Sequence, residues 1–395
     1  MSEAVTDSGK KGGRRAEDQL LLCCARTGAA LDGGKRIREL AATPGLDWEY
    51  LSLLARRHAV IPLLYQQLAR ESAPLVPPSI LADLKLQYQE NHARNVVLTQ
   101  ELCRLVNLFR EAGIETIPYK GPALAVFAYD HLALRRFVDL DVIVRKADVL
   151  RARELLLADG YVPGKSLSTA QQELVLRTQH NLQFASDGGR LLIELHWEVA
   201  PHLFASSVQE NELWQNLDPL ELNGTEMKTL NADDLLFSLC VHGSRHLWER
   251  LGWICDVAEL IKRRQLNWQA LLERAVQTDS ERMFLLGLHL AQTLLQTELP
   301  PGVRERCNSD TRLSSLAANV IQHLFNGAIH VPATSSEIFK YNIGVRKSLS
   351  ARARYFVHML RPTDSDFGSH ALPSRLTFAY YLTRPFRLLF KTKAT

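Results

Sequence analysis

The stretch "RRFVDLDVIV", Arg135 to Val144, sets two carboxylates one residue apart inside an apolar run, directly behind two arginines. The alternation reads as a β-strand, in which neighbouring side chains point to opposite faces. Asp139 and Asp141 then share one face, while Leu140, Val142 and Val144 pack on the other. Two carboxylates facing one space repel each other unless a cation sits between them. A hard divalent ion such as Mg²⁺ is held by one or two carboxylates plus substrate phosphates, which is the geometry this spacing offers. The plainer alternative is an edge strand whose two aspartates face water.

The flanking sequence bears on that choice. Upstream, "IETIPYKG" is short, β-rich and ends in Lys120-Gly121, followed by the helical "PALAVFAYDHLAL" with Pro122 at a tolerated first-turn position. A glycine there lets backbone amides approach a phosphate, and the following helix N-terminus favours anions. Downstream come a helix, "KADVLRARELLLADGY", and two strands, "HNLQFAS" and "RLLIELHWEV", joined by the hairpin signal "DGG". Glu194 and His196 fall on one face of the second strand, with Ile193, Leu195 and Trp197 on the other. A third carboxylate beside an Asp-x-Asp strand is what a two-metal phosphoryl or nucleotidyl transfer site requires. One ion lowers the pKa of the attacking hydroxyl and the other screens the leaving pyrophosphate. In this reading Asp139 and Asp141 bridge two Mg²⁺ or Mn²⁺ ions and Glu194 completes the nucleophile side.

Outward from this block the chain is helical. The reading divides it into a disordered tail (1–19), an N-terminal helical region (20–113), a mixed α/β core (114–230) with a second hairpin at Asn223-Gly224, a helical substrate-side domain (231–330) and a C-terminal segment (331–395). The formal charge of +4 is concentrated at the ends. Without Lys10, Lys11, Arg14, Arg15, Arg375, Arg384, Arg387, Lys391, Lys393, Glu3 and Asp7, the body holds 38 basic and 41 acidic residues. A chain that worked by neutralising nucleic-acid phosphates would carry its bases across the body, so no specific nucleic-acid partner is expected. Six cysteines without a CxxC pair read as free thiols in a reducing compartment. With no apolar leader or spanning segment, the expected location is cytoplasmic.

Five stretches in order, "YKGPALAVFAY", "LRRFVDLDVIV" with its helix and "DGY", "IELHWEV", "HGSRHLWERLGWICDVAELI" and "LPSRLTFAYYLTRPFRLLFK", carry a family resemblance. The chain resembles the DNA polymerase beta-like nucleotidyltransferase superfamily, and within it a largely uncharacterised bacterial nucleotidyltransferase family. The resemblance implies an α+β fold, a mixed sheet with flanking helices set between N- and C-terminal helical regions. It implies an enzyme that takes an NTP as donor. It assigns Gly121 to the family glycine, Asp139 and Asp141 to the metal pair, Glu194 to the third acid, and Lys120 and Arg135 to positions facing phosphates. Two features depart from the superfamily pattern: Pro122 replaces a Ser or Gly that would offer a phosphate donor, and Gly121 and Asp139 stand 18 positions apart.

By the same resemblance, His242, Arg245, His246 and Asp256 are expected to line the side of the helical domain that closes over the site and to contact the acceptor. The four-residue spacing of His242 and His246 can bind zinc, but no nearby Cys or His completes the set, so hydrogen-bonded histidines are the preferred reading. His196 can serve as a general base or as the group that orients Glu194, the latter preferred because two-metal sites need no separate base. His180, on the opposed strand, is a weaker candidate. The basic, aromatic C-terminal stretch (375–393) can touch an anionic membrane surface, though Pro385 interrupts it and docking on the helical domain is simpler. The expected activity is transfer of a nucleoside monophosphate to an unknown small-molecule, peptide or saccharide acceptor. The rivals are use of a nucleotide-sugar through the same Asp-x-Asp pair and a non-catalytic nucleotide-sensing or partner-binding module.

Overall fold

The structure is a computed structural model of the 395-residue chain that describes residues 14–28, 32, 34–165, 168–199, 210–327 and 331–359. Five helices come first: α1 (Ala16–Cys24), α2 (Lys35–Ala41), α3 (Trp48–Arg57), α4 (Ile61–Glu71) and the long α5 (Pro78–Glu111). The α/β block follows with β1 (Thr116–Pro118), α6 (Gly121–Tyr129), β2 (Asp139–Val144), α7 (Val149–Ala158), β3 (Val162–Pro163), α8 (Thr169–Thr178), β4 (Asn181–Ala185), β5 (Leu192–His196), α9 (Glu210–Gln215), β6 (Leu217–Leu222) and β7 (Thr225–Leu230). Helices α10 (Ala232–Arg245), α11 (Leu251–Arg263), α12 (Trp268–Gln277), α13 (Glu281–Leu295), α14 (Pro301–Ser309), α15 (Thr311–Leu324), α16 (Ser335–Gly344) and α17 (Leu349–Met359) complete the described chain.

The first five strands make one mixed sheet in the order β1-β2-β5-β4-β3, and β6 and β7 pair as a separate hairpin. β2 lies inside the sheet, antiparallel to β1 and parallel to β5. The edge-strand alternative for the two aspartates is therefore excluded. Both hairpins read from the sequence are present: β4 and β5 pair antiparallel across Asp187–Gly189, and β6 and β7 across Asn223-Gly224. Asn223 and Gly224 take φ of 48° and 73°, the left-handed pair a tight two-residue turn needs.

The sheet separates two apolar clusters. Leu140, Val142 and Val144 of β2 join Ile193, Leu195 and Trp197 in one, with Phe109 of α5 and Leu156 of α7. Ile143, on the aspartate face, joins Ile117 and Tyr119 in the other, which is built chiefly from α1–α4 and α10–α15. The helices before and after the α/β block thus share a single core. Buried polar contacts stitch them together: the Thr27 amide donates to Glu259 at 2.7 Å, and His58 meets the Leu324 carbonyl at 3.0 Å. The Gly252 amide donates to the His58 carbonyl at 3.0 Å.

Helix α1 begins at Ala16, inside the stretch expected to be tail, because Glu17 and Asp18 suit its N-terminal dipole and Leu20 to Leu22 are buried. The basic C-terminal stretch (375–393) lies outside the described residues. Among those described, no helix is long and apolar enough to cross a membrane.

The connection from α10 to α11 is strained. Leu247 and Trp248 take φ of 56° and 54°, a region bulky residues rarely occupy, and Trp248 is fully buried. Its ring fills the space that a side chain at Gly243 would need: a Cβ there would lie 2.3 Å from the ring. Gly243→Ala is expected to destabilise the fold by about 1–3 kcal/mol through overpacking. Equilibrium urea unfolding checks this, and an unchanged midpoint would contradict it.

Candidate functional site

The parallel register of β2 and β5 places Asp141 directly beside Glu194, and Asp139 beside Leu192. Because side chains alternate, Asp139, Asp141, Glu194 and His196 all face the same side of the sheet and line one cavity of about 920 Å³. At its floor the His196 Nε2 stands 3.1 Å from Asp141 Oδ1 and 3.2 Å from Glu194 Oε2. Lys120 Nζ lies 3.2 Å from the same Asp141 oxygen. From β4, Asn181 and Gln183 donate amide N–H groups to the two Glu194 oxygens at 3.1 and 2.8 Å. Glu194 therefore enters the cavity with both oxygens already engaged.

The helical wall carries the remaining candidates. His242, Arg245 and His246 line the same cavity. The Arg245 guanidinium crosses to the sheet, 3.0 Å from His180 Nε2, and the His242 and His246 rings lie 4.6 Å apart beside Trp253. Asp256 does not reach the cavity, contrary to expectation. It is buried on α11, where it accepts from Arg135 Nε at 2.9 Å, Arg135 Nη2 at 3.0 Å and the Tyr129 hydroxyl at 2.7 Å. Arg135 does line the cavity, held by this two-pronged pair. Gly121 has a steric task. It is buried with φ of 51°, and a Cβ on it would sit 3.1 Å from the Asp139 carbonyl oxygen. Its bareness lets the start of α6 close on the Asp-x-Asp strand, while Lys120 occupies the cavity wall.

Charge explains the titration of these groups. Burial and the neighbouring charges of Asp141 and Glu194 push the Asp139 carboxyl up to about 6. Burial also opposes ionisation of Asp141, but Lys120 and His196 outweigh it and hold that carboxyl well below the usual range. Glu194 is likewise lowered, burial being overcome by its hydrogen bond to His196. His196 is raised because both carboxylates outweigh its burial. On the opposite wall, burial and the charges of Arg245 and Lys120 hold His246 down at about 4, and His242 is driven down more strongly by burial and Lys120.

Asp141, Glu194 and His196 offer ligand atoms within 4.8 Å of one another, the one such group of three among the described residues. Asp139 lines the same cavity outside that group, whereas sequence reasoning had paired it with Asp141 as the metal-bridging unit. His242 and His246 have no third ligand among the described residues, which leaves zinc without a set.

A model of a family described as uncharacterised nucleotidyltransferase matches residues 44–296, a span that runs from the N-terminal helices through β7 to α13. The chain belongs to this nucleotidyltransferase family. Among solved structures, an antigenic nucleotidyltransferase-like protein from Paracoccidioides brasiliensis is similar, with 16% identity over 51% of this chain and 93% of that one and a TM-score of 0.31. No curated protein matches.

The family match spans both walls of the cavity. Several lining residues were not singled out from the sequence. Asn181 and Gln183 were readable once the hairpin was recognised, because alternation puts them on the Glu194 face. Asn91 and Asn95 of α5 gave no such signal. They donate to the carbonyls of Leu132, Ala133 and Arg135 and so fix the loop that delivers Arg135 and Arg136. Helical periodicity would assign such asparagines to a wet face.

Breaking the Arg135–Asp256 pair by Asp256→Ala leaves a guanidinium unpaired in a mostly buried site. The expected loss is about 3 kcal/mol in urea unfolding. For His246 the folded value of about 4 lies below the ordinary 6.5. Between these values the unfolded chain binds the proton and the folded one does not, so stability falls as pH drops from 6.5 to 4. His246→Gln should shrink that fall in Tm measured across this window, and an identical pH profile would contradict it.

Proposed function

We propose that the protein transfers a nucleoside monophosphate from an NTP to a hydroxyl or phosphate group of an acceptor, releasing pyrophosphate. The observation that carries this reading is the convergence of Asp139, Asp141 and Glu194 from adjacent strands on one cavity whose other groups include Lys120, Arg135 and Arg245. Carboxylates at one end and cations around them suit a polyphosphate bound with metal ions. Membership of the nucleotidyltransferase family supports it.

The residues fit hard divalent ions. The donor set is rich in carboxylate oxygen, and the Asp139 carboxyl is raised by burial and by the charges of Asp141 and Glu194, the second of which a divalent cation would relieve. Asp139, Asp141 and Glu194 would hold Mg²⁺ or Mn²⁺, two ions in the reading we favour. When bound, such ions favour ionisation of the acceptor hydroxyl and screen the charge of departing pyrophosphate.

The chain's own groups have separate tasks. His196 has Nε2 committed to Asp141 and Glu194, so it holds both carboxylates in place and does not turn that nitrogen to the acceptor. Lys120 balances Asp141 and is near enough to the floor to turn to a phosphate oxygen. Arg135 is kept in one orientation by Asp256 and presents fixed positive charge to the same region. In the reaction an acceptor oxygen forms a bond to the α-phosphorus, the bond to the bridging oxygen breaks, and pyrophosphate leaves with that electron pair. The acceptor proton passes to solvent. His242, Arg245 and His246 stand on the wall opposite the sheet, where an acceptor would enter.

The test is pyrophosphate release from each NTP with Mg²⁺ or Mn²⁺, using host lysate fractions and hydroxylated or phosphorylated compounds as acceptors. Asp139→Ala and Asp141→Ala should each lower release by about a hundredfold or more, the scale of losing one charge-stabilising group. Acceptor-dependent release that survives both substitutions would overturn the reading. Metal-dependent binding of nucleotide-sugars, with no release from any NTP, would point to the sugar-transfer rival.

A further inference from the structure

Three arginines on the cavity wall are far apart in sequence and close in space. Arg56 lies in the last turn of α3, Arg136 in the loop before β2, and Arg250 immediately precedes α11. All three are exposed side chains lining the cavity of Asp139 and Asp141, and Arg136 and Arg250 also line a small adjoining cleft of about 40 Å³. Among the described residues none has an acidic partner that explains its position. Arg56 donates to the Gln87 amide oxygen at 3.1 Å, and Arg250 lies over the Trp253 ring at 5.7 Å. Arg136 has neither a hydrogen bond nor an ion pair among the described residues. Partial burial and the charges of Arg250 and Arg56 pull the Arg136 guanidinium below its ordinary value, so these groups act on one another. Arg94 of α5 is lowered by burial and by Arg136 in the same way.

Mutual repulsion of this kind persists at a cavity mouth when the missing counter-charge arrives with a ligand. The planar fork of arginine matches phosphate oxygens two at a time. The donor has cations of its own, because Lys120 and Arg135 stand nearest the carboxylates that would hold its divalent ions. The cationic groups acting most strongly on the three carboxylates are Lys120, Arg135 and His196. Fixed backbone reinforces the arrangement: Asn91 and Asn95 hold the Arg135 carbonyl, so Arg136 leaves from an anchored point.

We infer that Arg56, Arg136 and Arg250 form a second anion subsite that takes a phosphate group of the acceptor, so that the acceptor is a phosphorylated molecule. This rests on the nucleotidyl-transfer reading for the meaning of acceptor, but the anion site itself does not. The donor triphosphate belongs to Lys120 and Arg135 at the sheet; the acceptor phosphate belongs to the helical rim.

Isothermal titration of the full chain separates the two. Mn²⁺ with each of the four α,β-methylene NTP analogues is titrated first, then inorganic phosphate into the analogue-saturated protein. The proteins are the wild type, Arg136→Ala/Arg250→Ala, and Arg136→Lys/Arg250→Lys. The expected result is phosphate binding to the loaded wild type, weakened about tenfold or more in the alanine pair and less in the lysine pair. Analogue affinity should stay within about twofold. Three results overturn the inference: no phosphate binding to the loaded wild type, unchanged phosphate affinity in the alanine pair, or loss of analogue affinity instead. If the wild type binds no analogue at all, the nucleotidyl-transfer reading fails by itself. Phosphate binding to the free protein that is lost in the alanine pair then still upholds the anion site, and its absence overturns it.

Discussion

The structure depends on keeping three carboxylates together at the partly buried floor of one cavity. Asp141 is 5% exposed and sits beside Glu194 on a neighbouring strand, with Asp139 on the same face. Left alone, such a group would take up protons or push the strands apart. The chain answers with Lys120 from the start of α6 and His196 from β5, both within hydrogen-bond distance of Asp141. Bringing Lys120 there requires α6 to begin against β2, and that requires the bare Gly121 at the Asp139 carbonyl. The sheet order follows the same demand, since β5 must lie beside β2 for His196 and Glu194 to reach the aspartates.

Compensation by the chain's own cations leaves the carboxylates unequal. Asp141 is held ionised, while Asp139 is held up toward about 6. The pair written Asp-x-Asp is thus two different groups: one anchored in a network of hydrogen bonds, the other nearer the open cavity and more responsive to what enters it. Arg135 shows the complementary arrangement, a cation whose direction is set from behind by Asp256 and Tyr129.

Much of this was legible in the residues. Strict alternation in Asp139–Val144 and Leu192–His196 gave both the strands and their working faces, because a buried strand tolerates charge only where a face has a use for it. Asn223-Gly224 gave a turn with little freedom to be anything else. What escaped was whatever depends on partners distant in sequence. The family resemblance set Asp256 with His242 and His246 at the site, yet its partner is Arg135, and no local pattern announces that pairing. Gly121 suggested a phosphate loop, while the steric need it also meets is set by a carbonyl 18 positions away. The arginine rim is invisible for the same reason, since Arg56, Arg136 and Arg250 come from three separate elements.

The core shared by the helices on either side of the α/β block also governs how the molecule is made. The Thr27–Glu259 contact closes 232 residues of chain, and the His58–Leu324 contact 266. During synthesis the N-terminal helices leave the ribosome long before the helices that cover their apolar faces. They must wait, partly uncovered, while the sheet forms in between. The cavity wall that carries His242, Arg245 and Arg250 can seat only after that wait. A growing chain therefore holds its aspartates without their helical wall until α10 and α11 have followed and seated.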